Sequence, residues 1–564
     1  MSIKKAVISI IFLLTGLSYS AWEVVERDTV STPFSNTNYL YTAFSKCYNP
    51  GGEQFSSMGM NTYPAEGHSP VFTMGEYRYA IYYNIRLRPV IARRHMPYGK
   101  WERTCFCQYE DAPVWDLHNI SAIGVSPDGY VHSSWGMHSD QIRYRRSVNP
   151  WAIDSFTGRI SMTGLAESTC SYPYFMSTPS GFYFFYREWN QQGYTINRWD
   201  EATKSWTMPL GTGCSGVTRC PLLMPVWPFN GSGRPYMFRP AFGKDGSLHI
   251  AWTQMQPNMV QQSVRYAYST DSGKTWRDKD GLPYTIPIND NNAKIVSTNI
   301  SNAHNAMDVD TFGRAHIVSH DNSSLTKSQH LFHIWKDGSN IWHTDTVYTF
   351  TDYETMGDLY QHRSEIAVDR QNRVHILTHA NRTNKWQQMI LTANPPEYKE
   401  WTKQILPSED IATMFQNYDY EYFKKTDTLL KVFQAQCVSD SNNIVWYGGA
   451  PEYGSPFVIW KMYWNNSQTI NEAKNKVSGT ALMSSTYYST NSLAILKVNI
   501  PVTSKIKLSI YYANGVRLVT LADGVHQQGQ HIFNFKTSNH AAGMYIAALV
   551  VNGRQTVNKI MVTK

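Results

Sequence analysis

The stretch Gly246-Ser-Leu-His-Ile-Ala-Trp252 decides the fold, because a turn followed by an alternating strand recurs throughout the chain. Successive copies start 54, 52, 65, 67, 59 and 71 residues apart. The other copies are Gly75-Glu-Tyr-Arg-Tyr, Gly129-Tyr-Val-His, Gly181-Phe-Tyr-Phe, Gly313-Arg-Ala-His-Ile, Asn372-Arg-Val-His-Ile and Asn443-Ile-Val-Trp. A long period of this kind is typical of architectures that repeat one supersecondary unit.

Other short apolar strands precede several of these turns, at residues 120–125, 306–309 and 365–368. Five copies are followed, 25 to 30 residues downstream, by Trp101, Trp206, Trp276, Trp342 or Trp401. Short strands at a fixed long period predict four-stranded antiparallel sheets repeated around an axis. We therefore predict an all-β chain with a seven-bladed β-propeller over residues 21–465.

Composition sets the broad class. The chain has 564 residues, 14% of them aromatic and 17% charged, which excludes a disordered chain and a coiled coil. Lys plus Arg minus Asp plus Glu is 51 − 43 = +8, without a basic block, so we predict no nucleic-acid partner. This mild excess is compatible with an anionic ligand, or with solubility alone.

Residues 1–20 have the pattern of a signal peptide: two lysines, an apolar run from Ala6 to Leu17 and small residues at Ser18 and Ser20. The run is too short to span a bilayer, so we predict export without a membrane span. Of the seven cysteines, Cys214 and Cys220 flank a short loop and are the best candidates for a disulfide.

The segment Ser269-Thr-Asp271-Ser-Gly273-Lys-Thr275-Trp276 resembles the Asp-box turn of sialidase-like propeller blades. We expect it to be structural, with Asp271 capping its own turn and Gly273 supplying a permissive backbone. Trp276 is expected to pack between blades.

A different region begins after the propeller. Residues 466–491 are predicted to be a linker, and residues 492–564 to form a small β-sandwich of six strands with hairpin turns such as Asp523-Gly524. Leu508-Ser-Ile-Tyr-Tyr-Ala-Asn-Gly515, Gly543-Met-Tyr545 and Lys559-Ile-Met-Val-Thr-Lys564 resemble the C-terminal sorting domains of type IX secretion substrates. The resemblance implies contact with the secretion machinery, followed by release or surface attachment; an ordinary appended sandwich is the alternative.

Two groups of ionisable residues lie at predicted strand ends, where a propeller collects its ligand. His118 precedes one inner strand and His138 follows the next, so antiparallel pairing brings both to one rim. Tyr172 precedes the inner strand of the following blade, and Arg187 lies near the end of its partner strand. His132 recurs at the same place in other repeats, which indicates a packing role.

These stretches resemble the BNR-4 repeat family, which includes ulvan lyases. The matching segments are His118-Asn119, Gly129-Tyr-Val-His-x5-His138, Arg143-Tyr-Arg-Arg-Ser147, Tyr172-Pro-x-Phe175 and Tyr186-Arg187. The resemblance implies a catalytic set of His118, His138, Tyr172 and Arg187. Asn119, Arg143, Tyr144 and Arg145 are candidate substrate-binding residues, although a solvated strand face is an equal explanation for the arginines.

These residue types suit a lyase that acts on a uronic-acid polysaccharide, with or without sulfate. Arg187 would neutralise the substrate carboxylate, a histidine near its reference pKa of about 6.5 could take the C5 proton, and Tyr172 could donate to the leaving oxygen. His118 is assigned as base or carboxylate partner and His138 as substrate-orienting, but these two roles are interchangeable on the sequence. For the opposite C5 configuration, Tyr172 could serve as both base and acid.

Two other functions compete with the secreted lyase: a sialidase-like glycoside hydrolase and a non-catalytic glycan-binding propeller at the cell surface. No cofactor is required by any of them. His316-x3-His320 and His375-x3-His379 have a zinc-protease spacing only on a helix, and on strands the two side chains lie about 13 Å apart. A structural calcium or zinc ion remains open.

Overall fold

The computed structural model describes part of the chain, and every structural statement concerns that part. It comprises residues 21–31, 70–84, 88–106, 120–188, 190, 193–214, 217–225, 233–255, 261–298, 305–320, 329–350, 354–355, 364–382, 385–406, 417–433, 437–439, 444–446, 457–465, 482–488, 493–500, 503–512, 516–538, 540–551 and 554–562. The chain divides into two compact units, Val24–Tyr463 on the one hand and Met1–Glu23 with Trp464–Lys564 on the other. The proposed signal peptide lies outside the described residues.

The chain up to residue 465 is built from short strands and one short helix. The strands of its first half are β1 (Ala21–Ser31), β2 (Val71–Met74), β3 (Tyr77–Tyr83), β4 (Pro89–His95), β5 (Trp101–Cys105), β6 (Ser121–Val125), β7 (Val131–Trp135), β8 (His138–Asp140), β9 (Tyr144–Arg146), β10 (Cys170–Thr178), β11 (Gly181–Glu188), β12 (Gly193–Asp200), β13 (Ser205–Thr207), β14 (Pro235–Met237), β15 (Ala241–Phe242), β16 (Leu248–Met255), β17 (Gln261–Ser269) and β18 (Ile295–Ser297). The second half contains β19 (Ala306–Val309), β20 (Ala315–His320), β21 (Gln329–Lys336), β22 (Trp342–Phe350), β23 (Glu354–Thr355), β24 (Glu365–Val368), β25 (Val374–Arg382), β26 (Lys385–Ala393), β27 (Trp401–Ile405), β28 (Asn417–Tyr418), α1 (Tyr420–Thr426), β29 (Thr428–Phe433), β30 (Cys437–Ser439), β31 (Ile444–Trp446) and β32 (Phe457–Asn465).

Within the described residues, these strands form seven sheets of three to five strands and one separate two-stranded hairpin, β30-β31. The larger sheets are β1-β32-β29-β28, β2-β3-β4-β5, β6-β7-β9, β8-β10-β11-β12-β13, β14-β16-β17-β18 with β15, β19-β20-β21-β22, and β23-β25-β26-β27 with β24. Neighbouring sheets share hydrophobic cores, and Tyr82 of an early sheet packs against Phe457 of the last one at 5.8 Å. The all-β prediction is confirmed, while the number of blades stays a prediction.

The recurring turn is held by its own side chains. Asp310 Oδ1 accepts hydrogen bonds from the amides of Phe312 and Arg314, and Asp369 Oδ1 accepts the same pair of bonds in its turn. Gly313 follows at φ 76° and Asn372 at φ 63°, in the left-handed region that glycine and asparagine tolerate best. Because each turn is stabilised by hydrogen bonds to its own aspartate side chain, the repeated turn motif in the sequence marks the positions of the hairpins.

The repeated histidine packs as expected. His132, His249, His316 and His375 are all buried. His249 Nδ1 shares a 2.6 Å hydrogen bond with the Tyr266 hydroxyl, and burial lowers the pKa of His249 to about 4. The His249 imidazole thus stays neutral and links two strands of one sheet.

The Asp box is a capped turn. Asp271 accepts from the Thr275 amide at 2.9 Å and from its hydroxyl at 2.7 Å, and the Trp276 indole donates to the Gly273 carbonyl at 3.1 Å. Trp276 is fully buried. A Cβ on Gly273 would lie 3.3 Å from Ile196 of the preceding sheet, so the turn seals the gap between sheets.

The seventh repeat differs from its prediction. Ile444–Trp446, the described part of the predicted copy, form β31 of the small hairpin β30-β31, whereas the inner hairpin of the last large sheet is β28, α1 and β29. Asp427, at φ 55°, makes the turn there and caps α1. A seven-residue helix inserted before the strand hides this turn from a search for glycine followed by alternation.

The disulfide between Cys214 and Cys220 is confirmed. Cys105 is also disulfide-bonded, and Cys170 is a buried free thiol. Among the helices in the described part of the chain, none is long and apolar enough to cross a bilayer.

The C-terminal unit is a two-sheet β-sandwich. Its strands are β33 (Leu482–Tyr488), β34 (Leu493–Ile500), β35 (Ser504–Tyr512), β36 (Arg517–His526), β37 (Gly529–Lys536), β38 (Gly543–Val551) and β39 (Arg554–Val562). The sheets β33-β34-β37 and β36-β35-β38-β39 enclose a core that includes Leu496, Phe535, Ile510 and Ala547. Two expectations are corrected: β33 occupies part of the segment predicted to be a linker, and Asp523-Gly524 lies inside β36 instead of forming a turn.

Candidate active site

The turn between β7 and β8 carries His138 out of its own sheet. Gly136 has φ 62° and Ser139 has φ 59°, so the chain reverses sharply on both sides of the histidine. Strand β8 then pairs with β10 of the next sheet, with His138 opposite Ser171. The Ser139 amide donates to Ser171 Oγ at 2.8 Å, which fixes this crossing. The half-buried His138 is therefore held at the start of β10.

Tyr172 lies on a β-bulge. Ser171 pairs with Arg187 and Tyr174 with Phe185, so two residues of β10 stand opposite one residue of β11. Tyr172 itself has φ 57°, a left-handed conformation that costs a bulky residue on the order of 1–3 kcal/mol. Strain of this kind persists where the surroundings over-determine the position, and it occurs preferentially at functional sites.

Arg187 completes the group. Its guanidinium carbon lies 4.4 Å from the centre of the Tyr172 ring and 5.1 Å from that of Tyr236. The His138 and Tyr172 rings are 5.9 Å apart. Three of the four residues implied by the family resemblance are therefore in one cluster, contributed by β8, β10 and β11.

This cluster has a specific electrostatic character. Arg187 is 1% exposed and Tyr172 is 4% exposed, so the cation lies beneath the surface, against the faces of the two tyrosine rings. A buried guanidinium is poorly screened by water and stabilises negative charge that develops next to it. The sequence predicted that Arg187 neutralises a substrate carboxylate; because Arg187 is buried, its charge would act largely from behind Tyr172.

His118 and Asn119 lie outside the described residues, so their roles remain predictions. Ile120, the first described residue after them, is buried against Tyr172. Its carbonyl accepts hydrogen bonds from the Gly136 amide at 3.1 Å and from the Tyr83 hydroxyl at 3.4 Å.

Two of the candidate substrate-binding residues, Tyr144 and Arg145, have structural roles instead. Tyr144 is 1% exposed and its hydroxyl is hydrogen-bonded to His132 at 2.8 Å. Arg145 is buried, donates to the Thr157 carbonyl at 3.0 Å and stacks on Phe106. These contacts direct both side chains into the protein, contrary to the substrate-binding expectation.

Arg143 also contacts protein, but it does so next to His138. It donates to the Gly136 carbonyl and, at 2.6 Å, to Asp140 Oδ2. Gly136 lies in the turn before His138, and Asp140 ends β8, so the two partners flank His138. Arg143 is thus a positioning residue for that turn, and its burial corrects the expectation of a direct ligand contact.

Sequence reasoning missed Tyr236. It lies in β14, the first strand of the sheet that follows β10 to β13, and is half-buried beside Arg187. Tyr172 lies in β10, which pairs with β11 as β14 pairs with β16. An aromatic residue at equivalent positions of successive repeats is the signal that could have found it.

Comparison with known proteins follows this geometry. Residues 77–350 match the model of the BNR repeat-containing family. This segment includes every described residue of the cluster. No curated protein sequence matches the chain.

Solved structures show the same fold. A PL25 ulvan lyase superposes with a TM-score of 0.53 at 14% identity, covering 74% of this chain and 97% of the enzyme. The polysaccharide lyase Uly1 gives a TM-score of 0.52 at 13% identity, covering 78% and 100% of the two chains. At these identities the likeness establishes the fold alone. Among the described residues, no three His, Cys, Asp or Glu side chains are grouped as metal ligands would be.

Proposed function

We propose that the protein is a polysaccharide lyase that cleaves a uronic-acid polysaccharide of the ulvan type by β-elimination. The observation that carries this proposal is the stack of Arg187 on Tyr172 at 4.4 Å, with His138 beside the same ring. A cation, a phenol and an imidazole are the groups that this reaction requires. The shared fold of the ulvan lyases supports the same assignment.

In this reaction a base removes the proton from C5 of the uronate, and the electrons of the C5–H bond form a C4–C5 double bond. The C4–O4 bond breaks, and an acid protonates the departing oxygen. Negative charge spreads onto the carboxylate as the proton leaves, so a fixed cation lowers the barrier. Arg187 supplies that cation, at low dielectric and without reorganisation.

Tyr172 is the proposed acid, and it also serves as base where the C5 proton lies on its side of the sugar. Its strained backbone fixes the phenol relative to Arg187. His138 orients the substrate, and His118 is the base or carboxylate partner. Acid–base help of this kind contributes roughly 10²–10⁴-fold to the rate.

The substrate class rests on chemistry and on the structural neighbours. One solved form of the PL25 ulvan lyase is bound to a disaccharide of glucuronate and rhamnose 3-sulfate. The excess of basic residues in this chain, +8 at neutral pH, is compatible with such a polyanion. We propose the same class of substrate here, with sulfate as a permitted substituent.

We also propose that the protein is exported and either released or retained at the cell surface. The pattern of residues 1–20 and the sorting-domain resemblance of the C-terminal β-sandwich support this location. Removing residues 492–564 and comparing the protein in culture medium, outer membrane and periplasm tests it: retention of the truncated chain is expected, and unchanged export would contradict it.

A screen of uronic-acid polysaccharides tests the activity. A lyase produces a 4,5-unsaturated uronate that absorbs in the near ultraviolet, a hydrolase produces reducing ends without that absorbance, and a binding protein produces neither. The same screen is run on the Tyr172→Phe and Arg187→Ala variants, each of which removes one group of the candidate active site. If all active glycans were cleaved equally by both variants, the site assignment would be wrong.

A further inference from the structure

A cavity lies at the far end of the inner hairpins from Tyr172. Strand β10 runs from Tyr172 to Thr178 at about 3.3 Å per residue, which separates the two places by about 20 Å. The cavity has a volume of about 680 Å³. Its wall is supplied by turns of the large sheets, among them Pro127, Ser180, Lys244, Thr311 and Arg370, and by Lys425 of α1.

The floor of this cavity is apolar. Phe242 and Val368 line it, and the Phe242 ring packs edge-on against Tyr420 of α1 at 5.3 Å. The Tyr420 hydroxyl is hydrogen-bonded to Asp308 at 2.9 Å, so the aromatic pair is held in place. A preformed cavity that combines apolar surface with convergent polar groups is typical of small-ligand sites.

Two acidic groups of the wall, Asp310 and Asp369, are already neutralised. Asp310 accepts from Arg314 Nε at 2.6 Å, and Asp369 accepts from Arg373 Nε at 2.6 Å. Both carboxylates are almost fully buried. They therefore offer little negative charge to a ligand.

The basic groups are neutralised only in part. Lys424 is paired with Asp308 at 3.0 Å. Lys244 and Lys425 are exposed on the wall, and neither forms an ion pair within the described part of the chain. Arg198 donates through Nη2 to the Ser180 carbonyl at 3.1 Å, while its Nε is buried without a hydrogen-bond partner among the described residues. Glu201 is the one exposed carboxylate of the wall, against these three cations.

We propose that this cavity binds an anionic sugar unit, a uronate or a sugar sulfate, independently of the candidate active site. The small exposed part of Phe242 would contact the apolar side of the sugar, and Lys244, Lys425 and Arg198 would hold the anion through charge-assisted hydrogen bonds. The choice of a sugar rests on the proposed function, whereas the anion preference rests on the wall charges. A second glycan contact would raise the local concentration of the polymer around the enzyme.

Calorimetric titration with glucuronate, inorganic sulfate and neutral glucose tests this site. The full chain carries Arg187→Ala, or Arg187→Met where the alanine variant does not fold, so that the candidate active site contributes little. On this background, Lys244→Ala with Lys425→Ala is compared with Lys274→Ala and Lys399→Ala. The control pair removes the same charge from exposed positions outside the cavity.

Glucuronate is expected to bind more tightly than sulfate, and glucose not to bind. The cavity pair should weaken glucuronate binding about tenfold, and the control pair should leave it unchanged. Absence of glucuronate binding, or equal binding by both pairs, would overturn the proposal. Lyase activity is measured in parallel for the chains with intact Arg187, including the Lys244→Ala, Lys425→Ala chain. If none of these chains shows lyase activity, the proposed function is contradicted and the proposal for the cavity is not.

Discussion

Replacing Arg187 with methionine removes the buried charge and keeps most of the side-chain length. The guanidinium lies 4.4 Å from the Tyr172 ring, and a substrate anion beside that ring would be about 4–8 Å away. At an effective dielectric constant near 20, a unit charge over that range contributes about 2–4 kcal/mol. This corresponds to roughly 30- to 1,000-fold in rate. Because the negative charge grows in the transition state, kcat should fall by this factor while KM changes less.

Arg219 is the matched control. It is also 1% exposed and stacks on a tyrosine, Tyr186, at 5.8 Å, but it donates hydrogen bonds to the Ile196 carbonyl and to Asn197 Oδ1 of β12. Arg219→Met should lower the melting temperature without lowering kcat. Arg187→Lys keeps the charge without the planar fork and should give an intermediate kcat. Formation of unsaturated uronate is followed by absorbance, and a folded Arg187→Met variant with wild-type kcat would refute the electrostatic role.

Three further outcomes are expected. Tyr172→Phe should reduce kcat roughly 10²–10⁴-fold, whereas Tyr144→Phe, in the core, should lower the melting temperature and leave kcat unchanged; equal kcat losses in both would argue against Tyr172 as the acid. Since burial lowers the folded-state pKa of His249 to about 4, below an unfolded value of about 6.5, its unfolded form binds a proton first as the pH falls. Stability should therefore be complete above about pH 6.5 and decrease by roughly 3 kcal/mol toward pH 4, with a shallower decrease in His249→Gln, as followed by denaturant unfolding; an unchanged slope would exclude this residue as a source. Asp271→Ala removes the carboxylate of the Asp box and should cost about 1–3 kcal/mol of unfolding free energy at unchanged kcat; a catalytic defect without destabilisation would point to a different role for the box.

The fold was largely predictable because its turns are locally determined. The carboxylates of Asp310, Asp369 and Asp271 organise their own backbone, so the short motif carries the conformation wherever it occurs. The strands beginning at Ala306 and Glu365 lie where the hydrophobic pattern places them. In the last sheet, α1 interrupts that pattern, and the predicted repeat was assigned to the wrong hairpin.

The sequence predicted which residues contribute to the candidate site, but not how they are arranged in space. Contacts between residues that are distant in sequence determine that β8 pairs with a strand of the next sheet. They also determine that Tyr172 adopts a left-handed backbone conformation at a β-bulge. A three-residue strand such as β9 does not reveal which face is buried, which explains why Tyr144 and Arg145 were assigned to the surface. Tyr236 was missed because its contact with Arg187 joins two sheets.

The central claim is that the polysaccharide is cleaved by β-elimination, and the most direct test is whether oxygen from water enters the product. An ulvan-type polysaccharide is digested in ¹⁸O-labelled water, and the products are examined by mass spectrometry. β-Elimination breaks the C4–O4 bond without adding water, so unsaturated products free of ¹⁸O from the cleavage itself are expected, once exchange at the reducing end is subtracted with unlabelled standards. Saturated products that carry one labelled oxygen per cleavage would contradict the account.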